Sequence, residues 1–347
     1  MKVAFIYNDI FRNSNFGDYH PITLNRVSNV YDLSKIINFQ NVEYFFSKIA
    51  TEEELLLFHK KSYIDILKNT ELLQTITDEN KKKYNLGTAS NPIFREMYRR
   101  HATATGSLIL AANLIIKKKY NYIFSPGSGA HHGQEDKASG FCYLNDIVTC
   151  ILYLRKKGFN KILYFDMDAH YGDGVIEFFS KNKDIFTFSI HQENLWPRTG
   201  KFLFKEGIIN YPVKEGFNDR NFKDVVNNKL IKEFKAFNPE IVLMQMGADC
   251  LEDDYMSKLS LSNNSMAFII EKFKNISKNI IVMGGGGYNP WTTLRAWVYN
   301  LAVLADEKEK LKLTNEGVNF MINIYNKKKP KHKWIENIID FPNIFED

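Results

Sequence analysis

Residues 161–174 read KILYFDMDAHYGDG, an apolar run that leads directly into three carboxylates and one histidine. The apolar part, residues 161–165, predicts a strand that is buried on both faces of a sheet. Residues 166, 168 and 170 point to the same side of an extended chain, so Asp168 and His170 can bind one cation together. Buried carboxylates are unfavourable without a partner, and a cation is the simplest partner. The alternative is a surface turn rich in Asp and Gly, which the preceding apolar strand disfavours.

Other apolar runs have the same character and alternate with segments of helical spacing. The predicted strands are Val3–Tyr7, Tyr122–Ser125, residues 185–190, Ile241–Gln245 and Ile280–Met283. The predicted helices cover residues 92–118 (as two helices), 144–157, 221–237, 262–277 and 291–305. Thr51 and Glu54 form a capping box that begins a further helix. This alternation predicts an α/β fold, a mostly parallel β-sheet with helices on both faces.

Length and composition agree with one large folded unit. The chain has 347 residues, of which 44% are hydrophobic and 25% charged, so it can bury a core and is not disordered. No Pro/Gly/Ser-rich linker and no internal repeat divides it. We therefore expect a single domain over residues 1–305. Residues 306–347 are expected to form a charged helical extension, packed on that domain or peripheral to it.

Charge, cysteine content and hydropathy exclude several classes of protein. The formal net charge of +6 comes from lysines spread along the chain, so we expect no nucleic-acid partner. The three cysteines include no C-x-x-C pair, which indicates neither a disulfide framework nor a thiolate zinc site. No stretch approaches the roughly 20 apolar residues of a membrane span, and the N-terminal apolar run is too short for a signal peptide. We expect a cytoplasmic protein, and the sequence does not indicate its oligomeric state.

A third metal ligand is predicted at the end of another strand. Ligands of open α/β sheets bind at the carboxyl ends of the strands, and Asp249 follows the strand Ile241–Gln245 there. Alone, Asp249 would more often cap a helix, but Asp168 and His170 favour a ligand role. Catalytic zinc sites use three protein ligands and leave one position open. Because two of these ligands are carboxylates, Fe²⁺ and Mn²⁺ are alternatives to Zn²⁺.

Two adjacent histidines, His131 and His132, lie in a glycine-rich loop after the strand Tyr122–Ser125. A chance surface pair is the alternative, but two imidazoles near a metal can act as the base and the acid of a hydrolysis. Asp166 and Asp173 are carboxylates not needed as ligands, and they can orient the two rings.

Four consecutive glycines, residues 284–287, come after the strand Ile280–Met283 and precede Tyr288. Glycines allow the backbone to turn tightly beside a ligand. A flexible linker is the alternative, but the strand before it and the helical pattern after it disfavour a linker. The hydroxyl of Tyr288 can donate a hydrogen bond to a carbonyl oxygen on which negative charge develops.

Taken together, these motifs resemble the histone deacetylase superfamily, which includes acetoin utilization proteins and acetylpolyamine amidohydrolases. The likeness is nearest to bacterial members and extends from the N-terminal strand to about Ala305. It rests on five motifs in the family's order: His131-His132 and residues 140–146, 166–174, 247–249 and 284–288. It implies an arginase-deacetylase-like fold and a zinc-dependent deacetylase, a hydrolase that acts on linear amide bonds.

The resemblance also implies a role for each matching residue. The zinc ligands are Asp168, His170 and Asp249. The catalytic residues are His131 and His132, paired with Asp166 and Asp173, together with Tyr288. Gly140, Phe141 and Trp196 match the walls of an acyl-lysine tunnel. A structural K⁺ would be bound by Asp166, Ser189, Ile190 and the backbone carbonyls of Asp168 and His170. Arg26 matches an arginine near an internal product channel.

Two positions depart from the family pattern and bear on the substrate. Members that act on histone tails carry an acidic residue at the rim, where this chain has Ser90. Polyamine-specific members carry a Glu seven residues after the last metal ligand, where this chain has Met256 at the expected tunnel mouth. The first departure disfavours recognition of an extended peptide, and the second disfavours a cationic polyamine. We therefore expect an acyl-lysine or a related acylated amine as substrate. The alternatives are a small-molecule amidohydrolase, a non-catalytic metal-binding protein and an arginase-like hydrolase with two metals.

Overall fold

Nine strands form one sheet in the computed structural model, which describes residues 2–14, 16–17, 20–22, 25–325 and 328–344. The strands are β1 Val3–Tyr7, β2 Val42–Phe46, β3 Tyr122–Ser125, β4 Ile162–Asp166, β5 Ile185–Gln192, β6 Leu203–Lys205, β7 Ile208–Val213, β8 Ile241–Gln245 and β9 Ile280–Met283. Their order in the sheet is β2-β1-β3-β9-β8-β4-β5-β7-β6. All neighbours are parallel except the edge strand β6, which pairs antiparallel with β7.

Helices cover both faces of this sheet. They are α1 Ile10–Asn13, α2 Arg26–Ile37, α3 Glu52–Leu55, α4 Lys61–Leu73, α5 Asp78–Tyr84, α6 Met97–Ile116, α7 Asp146–Lys156, α8 Asp173–Phe179, α9 Asp219–Val225, α10 Ile231–Phe237, α11 Asn263–Lys274, α12 Pro290–Ala305, α13 Asn315–Asn323 and α14 His332–Glu336. Helices α2, α11 and α12 pack on one face, and α6, α7 and α8 on the other. Alternate strand residues therefore enter two separate apolar cores, as in Leu163 and Tyr164. None of the helices in the described part of the chain has the length and apolarity that crossing a bilayer requires.

The predicted fold class is confirmed, and so are all six predicted strands. Strands β2, β6 and β7 were not predicted, because β2 and β6 lie at the sheet edges with partly exposed residues and β7 contains Pro212. The capping box at Thr51 and Glu54 is present. Residues 92–118 hold the single helix α6 rather than two helices. Residues 221–237 are not one regular helix, since a π-helical turn, Val226–Leu230, separates α9 from α10.

The chain beyond Ala305 packs against the same core. Trp334 of α14 is 1% exposed, and its ring stacks on Trp291 of α12 at a centroid distance of 5.3 Å. Met321 and Ile338 are also buried. The C-terminal segment thus covers the beginning of α12, whose first residue, Pro290, lies two positions after Tyr288.

The parallel topology brings the polar motifs to one edge of the sheet. Strands β3, β9, β8, β4 and β5 are consecutive neighbours, so the loops after their carboxyl ends lie side by side. Asp166, the last residue of β4, is in register with Ser189 of β5 and with Gln245 of β8. Segments far apart in the sequence therefore meet there.

Candidate active site

Asp168, His170 and Asp249 come together as one buried cluster. Their potential ligand atoms all lie within 4.8 Å of one another. His170 Nδ1 is 2.9 Å from Asp249 Oδ2 and 3.1 Å from Asp168 Oδ1. In the described residues no lysine or arginine forms an ion pair with either carboxylate. Two buried carboxylates and an imidazole, with no lysine or arginine of the described residues paired to them, fit a divalent metal ion of the Zn²⁺ type.

The surrounding backbone holds the two carboxylates in place. Asp168 Oδ2 accepts hydrogen bonds from the side chain of Gln245 at 2.9 Å and from Gly286 N at 2.7 Å. Asp249 Oδ1 accepts one from Ala169 N at 3.0 Å. Gly286 has no room for a side chain, because a Cβ there would overlap the carboxylate of Asp249. The glycine-rich loop therefore approaches the cluster as closely as the sequence pattern suggested.

The two histidines lie beside this cluster, and each is oriented by a carboxylate. Nδ1 of His131 is 2.7 Å from Asp166 Oδ2, and Nδ1 of His132 is 2.6 Å from Asp173 Oδ1. The two rings are buried with centroids 3.9 Å apart. Since Nδ1 donates to a carboxylate in each ring, Nε2 is the nitrogen left to exchange a proton. Each histidine thus has the predicted partner at hydrogen-bond distance.

The environments of the two rings differ in charge. Burial alone would lower the pKa of His131, but the carboxylates of Asp166 and Asp168 outweigh burial and raise this pKa. Burial and the neighbouring His131 together lower the pKa of His132 to about 4. His131 therefore has the higher proton affinity of the two.

Tyr288 lines the same cavity. Its backbone is fixed by Asp254, a residue for which the sequence predicted no role. Asp254 Oδ2 accepts hydrogen bonds from Tyr288 N at 2.6 Å and Asn289 N at 2.9 Å. Burial, with Asp249 nearby, raises the pKa of Tyr288 well above its usual value, so the hydroxyl stays protonated and can donate. Gly285 and Gly287 have φ of 130° and 131°, a conformation that favours glycine.

Three other supports of the site were also not predicted. The Asp146 carboxylate accepts hydrogen bonds from Gly129 N and Ala130 N, both at 2.9 Å, and so shapes the loop that carries the histidines. Asn145 binds the end of this loop through Gly133 O. His59 Nε2 accepts a hydrogen bond from Asn145 N at 2.9 Å. Asp146 and Asn145 belong to a quoted motif, but no pattern in the sequence indicates which backbone groups they bind.

The proposed tunnel residues do not all lie in the same place. Gly140 and Phe141 line the cavity beside the metal cluster, whereas Trp196 and Met256 are outside its lining. Trp196 is 44% exposed and contacts the ring of His132 at a centroid distance of 4.6 Å. A Cβ on Gly140 would overlap the rings of both His132 and Trp196. The partly exposed Trp196 therefore borders His132 from the solvent side.

Two of the carboxylates after Asp249, those of Asp253 and Asp254, are occupied by other parts of the chain. Asp253 pairs with Lys331 at 2.8 Å and with Lys333 at 2.5 Å, and accepts a hydrogen bond from Trp334. Asp254 is buried beneath the Tyr288 backbone. Neither carboxylate is thus free to bind a cationic substrate in place of a Glu at position 256.

The remaining predicted residues are near the cluster. Asp166 and Ser189 face each other across β4 and β5, and Ile190 follows on β5. All of the residues proposed for K⁺ are buried. Arg26 lines the cavity and donates from Nη1 to the carbonyl oxygens of Gly285 at 3.0 Å and Gly287 at 2.7 Å.

Comparison with known proteins agrees with this geometry. A sequence model of the histone deacetylase domain matches residues 20–304. The acetoin utilization protein AcuC of Staphylococcus aureus (strain MSSA476) is 31% identical over 98% of this chain and 91% of its own length. AcuC of Bacillus subtilis (strain 168) is 32% identical over 85% of this chain and 80% of its own length.

Solved structures agree as well. A histone deacetylase homologue from Aquifex aeolicus superimposes with a TM-score of 0.91 at 32% identity, covering 100% of this chain and 96% of that one. A homologue complexed with SAHA gives a TM-score of 0.90 at 32% identity, with the same coverage of both chains. The motifs, the fold and the sequence match all lead to one conclusion: this chain belongs to the histone deacetylase family.

Proposed function

We propose that this protein is a metal-dependent deacetylase that hydrolyses the amide of an acyl-lysine or a related acylated amine. The observation that carries the proposal is the buried cluster of Asp168, His170 and Asp249 beside two carboxylate-paired histidines. Such a cluster would hold a Zn²⁺ or Fe²⁺ ion, which supplies a Lewis acid for the acyl carbonyl and lowers the pKa of water.

The histidines divide the proton transfers. Each Nδ1 is held by a carboxylate, so Nε2 of each ring is oriented towards the cavity. One ring accepts a proton from the attacking water, and the other delivers a proton to the departing amine. Asp166 and Asp173 hold the rings through both steps and stabilise the charged imidazolium.

Tyr288 stabilises the oxygen that becomes negative. Its hydroxyl is protonated and lies on the cavity wall that also carries Asp168 and His170. A preorganised donor of this kind acts mainly in the transition state, where the carbonyl oxygen gains charge. Phe141, whose ring centroid is 6.2 Å from that of Tyr288, keeps the adjoining wall apolar.

An acyl-lysine fits better than a polyamine, because the segment after Asp249 has no free carboxylate at positions 253, 254 or 256 to pair with a second ammonium group. Met256 replaces the carboxylate of polyamine-specific members, and Asp253 and Asp254 are already bound. Buried ammonium groups need such a partner. SAHA occupies the similar histone deacetylase homologue, which supports a site for extended acyl-amine-like ligands. The buried residues Asp166, Ser189 and Ile190 would hold a structural K⁺ beside the cluster.

The direct test is turnover of acetyl-lysine peptides and acetylpolyamines by protein loaded with Zn²⁺ or Fe²⁺. We expect one metal equivalent per chain by elemental analysis and hydrolysis of acetyl-lysine peptides. Asp168→Ala should lose both metal and activity. Asp65→Ala, which removes an exposed carboxylate paired with Lys61, should lose neither. Full metal content in Asp168→Ala would refute the assignment of the ligands.

A further inference from the structure

One cavity is lined both by the metal cluster and by two guanidinium groups. It offers about 90 Å³ to water-sized molecules, which is room for several waters or one small anion. Asp168, His170 and Tyr288 line the catalytic part. Arg26 and Arg100 line the same cavity together with the buried rings of Phe11 and Phe16, and these four side chains define the chamber discussed below.

Arg100 is the unexplained member of this chamber. It lies on α6, is only 8% exposed, and donates from Nη1 to Ser14 Oγ at 2.7 Å and Ser14 O at 3.2 Å. Its guanidinium lies over the rings of Phe11 at 5.2 Å and Phe16 at 5.7 Å. Within the described residues, Nε and Nη2 make no hydrogen bond, and no carboxylate forms an ion pair with this side chain.

Arg26 places a second positive charge in the same chamber. Its Nη1 donates only to backbone carbonyls, and no carboxylate of the described residues pairs with it. Burial, and to a smaller extent the nearby Arg26, lower the pKa of Arg100 to about 9. Asp254, Asp249 and Asp168 lie near Arg26, but no carboxylate of the described residues forms an ion pair with either guanidinium. Buried cations without a paired anion are unfavourable, so the chamber suits an anion.

The position of the chamber identifies which anion it would take. An acyl group with its carbonyl carbon beside Asp168 and Tyr288 would extend its chain into this chamber. The rings of Phe11 and Phe16 suit methylene groups, and a guanidinium binds a carboxylate through two parallel hydrogen bonds.

We propose that the chamber is an acyl pocket for groups that end in a carboxylate, such as the monoamide that lysine forms with a short dicarboxylic acid. The proposal rests on the deacylase function proposed above and specifies its acyl group. The reaction remains hydrolysis: water adds to the carbonyl carbon and the C–N bond breaks. The amine leaves with a proton, and the product is a dicarboxylic acid.

The test compares one lysine peptide that carries an acetyl, a succinyl or a succinamoyl group. The succinamoyl group replaces the terminal carboxylate by a neutral amide of nearly the same size. We expect kcat/KM of the wild type to be at least about 10-fold higher for succinyl than for succinamoyl, since a site built for a polar partner rejects an analogue without it. Arg100→Met should abolish most of that preference, and Arg100→Lys should keep part of it. Arg99→Met is the matched control, because Arg99 is the exposed neighbour that pairs with Glu71.

The outcomes separate this proposal from the general function. No turnover of any acyl peptide would refute the deacylase function itself. Acetyl turnover without a preference for succinyl over succinamoyl would refute the acyl pocket alone, and this comparison requires no variant to fold. Inhibition by free succinate and acetate is measured in parallel. If free acids inhibit through Arg100 but the succinyl peptide is not preferred, the chamber binds only released product and the proposal is wrong.

Discussion

Asp254 holds the backbone of Tyr288 from 34 residues away in the sequence, through a 2.6 Å hydrogen bond from Tyr288 N to Asp254 Oδ2. The same oxygen binds Asn289 N, and Oδ1 binds Met256 N at 3.0 Å. One buried carboxylate thus connects the segment after Asp249 to the tyrosine loop. Asp254 does not touch the substrate in the proposed mechanism, so it is a positioning residue.

Replacing Asp254 should therefore impair catalysis without removing the metal. We expect Asp254→Ala to lower kcat by about 10- to 100-fold with a much smaller change in KM, since small misplacements of a catalytic group have effects of this size. Asp254→Asn keeps one acceptor oxygen and should recover part of kcat. Glu252→Ala, an exposed neighbour, serves as control. If both Asp254 variants lose kcat to the same extent and both also lose folding stability, the role of Asp254 is purely structural.

Tyr288→Phe should test the oxyanion role directly. The variant loses only the hydroxyl, so fold and metal content should stay unchanged while kcat falls by roughly 10²–10³, the effect of one lost donor. KM should change much less, because ground-state binding depends on other contacts. Steady-state kinetics with parallel elemental analysis measures both effects. A nearly normal kcat would mean that the metal and histidines suffice.

Met256→Glu should shift the preference among amines. A carboxylate at this partly buried position would supply the counter-charge that a polyamine requires. We expect the ratio of kcat/KM for acetylspermidine over an acetyl-lysine peptide to rise. Tyr255→Glu places the same charge on an adjacent exposed residue and should leave the ratio nearly unchanged. If the wild type already hydrolyses acetylspermidine far faster than any peptide, the proposed substrate class is wrong.

Trp334→Ala should destabilise the whole protein, although this residue lies outside the matched family domain. Its ring is 1% exposed and stacks on Trp291, and removal of such a side chain leaves a cavity that lowers the free energy of unfolding by about 3–5 kcal/mol. Phe341→Ala removes a ring that is 87% exposed and should have little effect. Denaturant unfolding of both variants provides the measurement. Equal stabilities would show that the C-terminal segment is not part of the cooperative fold.

Stability should fall at acidic pH, in part through His59. Burial lowers the pKa of His59 to about 4 from an ordinary value of 6.5, and its Nε2 must stay unprotonated to accept from Asn145 N. The unfolded chain therefore binds this proton first as the pH falls. The contribution is fully present above pH 6.5 and is lost as the pH falls towards 4. His59→Gln should flatten the decline in unfolding free energy over that range, but only in part, because buried His101 has a similarly lowered pKa. An unchanged slope would contradict the role of His59.

Much of the fold and the chemistry followed from local patterns. Apolar runs with helical segments between them determine a parallel sheet, because such strands must be buried on both faces. The alternation of residues along a strand placed Asp168 and His170 on one side, and strand ends predicted Asp249 beside them. The pairs His131–Asp166 and His132–Asp173 are now observed at 2.7 and 2.6 Å. Their roles in catalysis remain proposals. The strands β2 and β6 escaped prediction because half-exposed edge strands lack a distinctive apolar pattern.

Other relationships depend on the three-dimensional packing alone. Periodicity tells which face of α6 is buried but not what that face meets, so Arg99 and Arg100 look alike in the sequence. In the fold Arg99 pairs with Glu71 at the surface, whereas Arg100 lines the cavity. Asp253 and Asp254 also look like equivalent acids, yet one binds the C-terminal segment and the other the backbone of Tyr288. Local sequence specifies the conformation of a segment and the chemistry of its side chains. How the helices and strands pack decides which distant segment contacts a given side chain. The proposed substrate specificity of this protein depends on such long-range contacts.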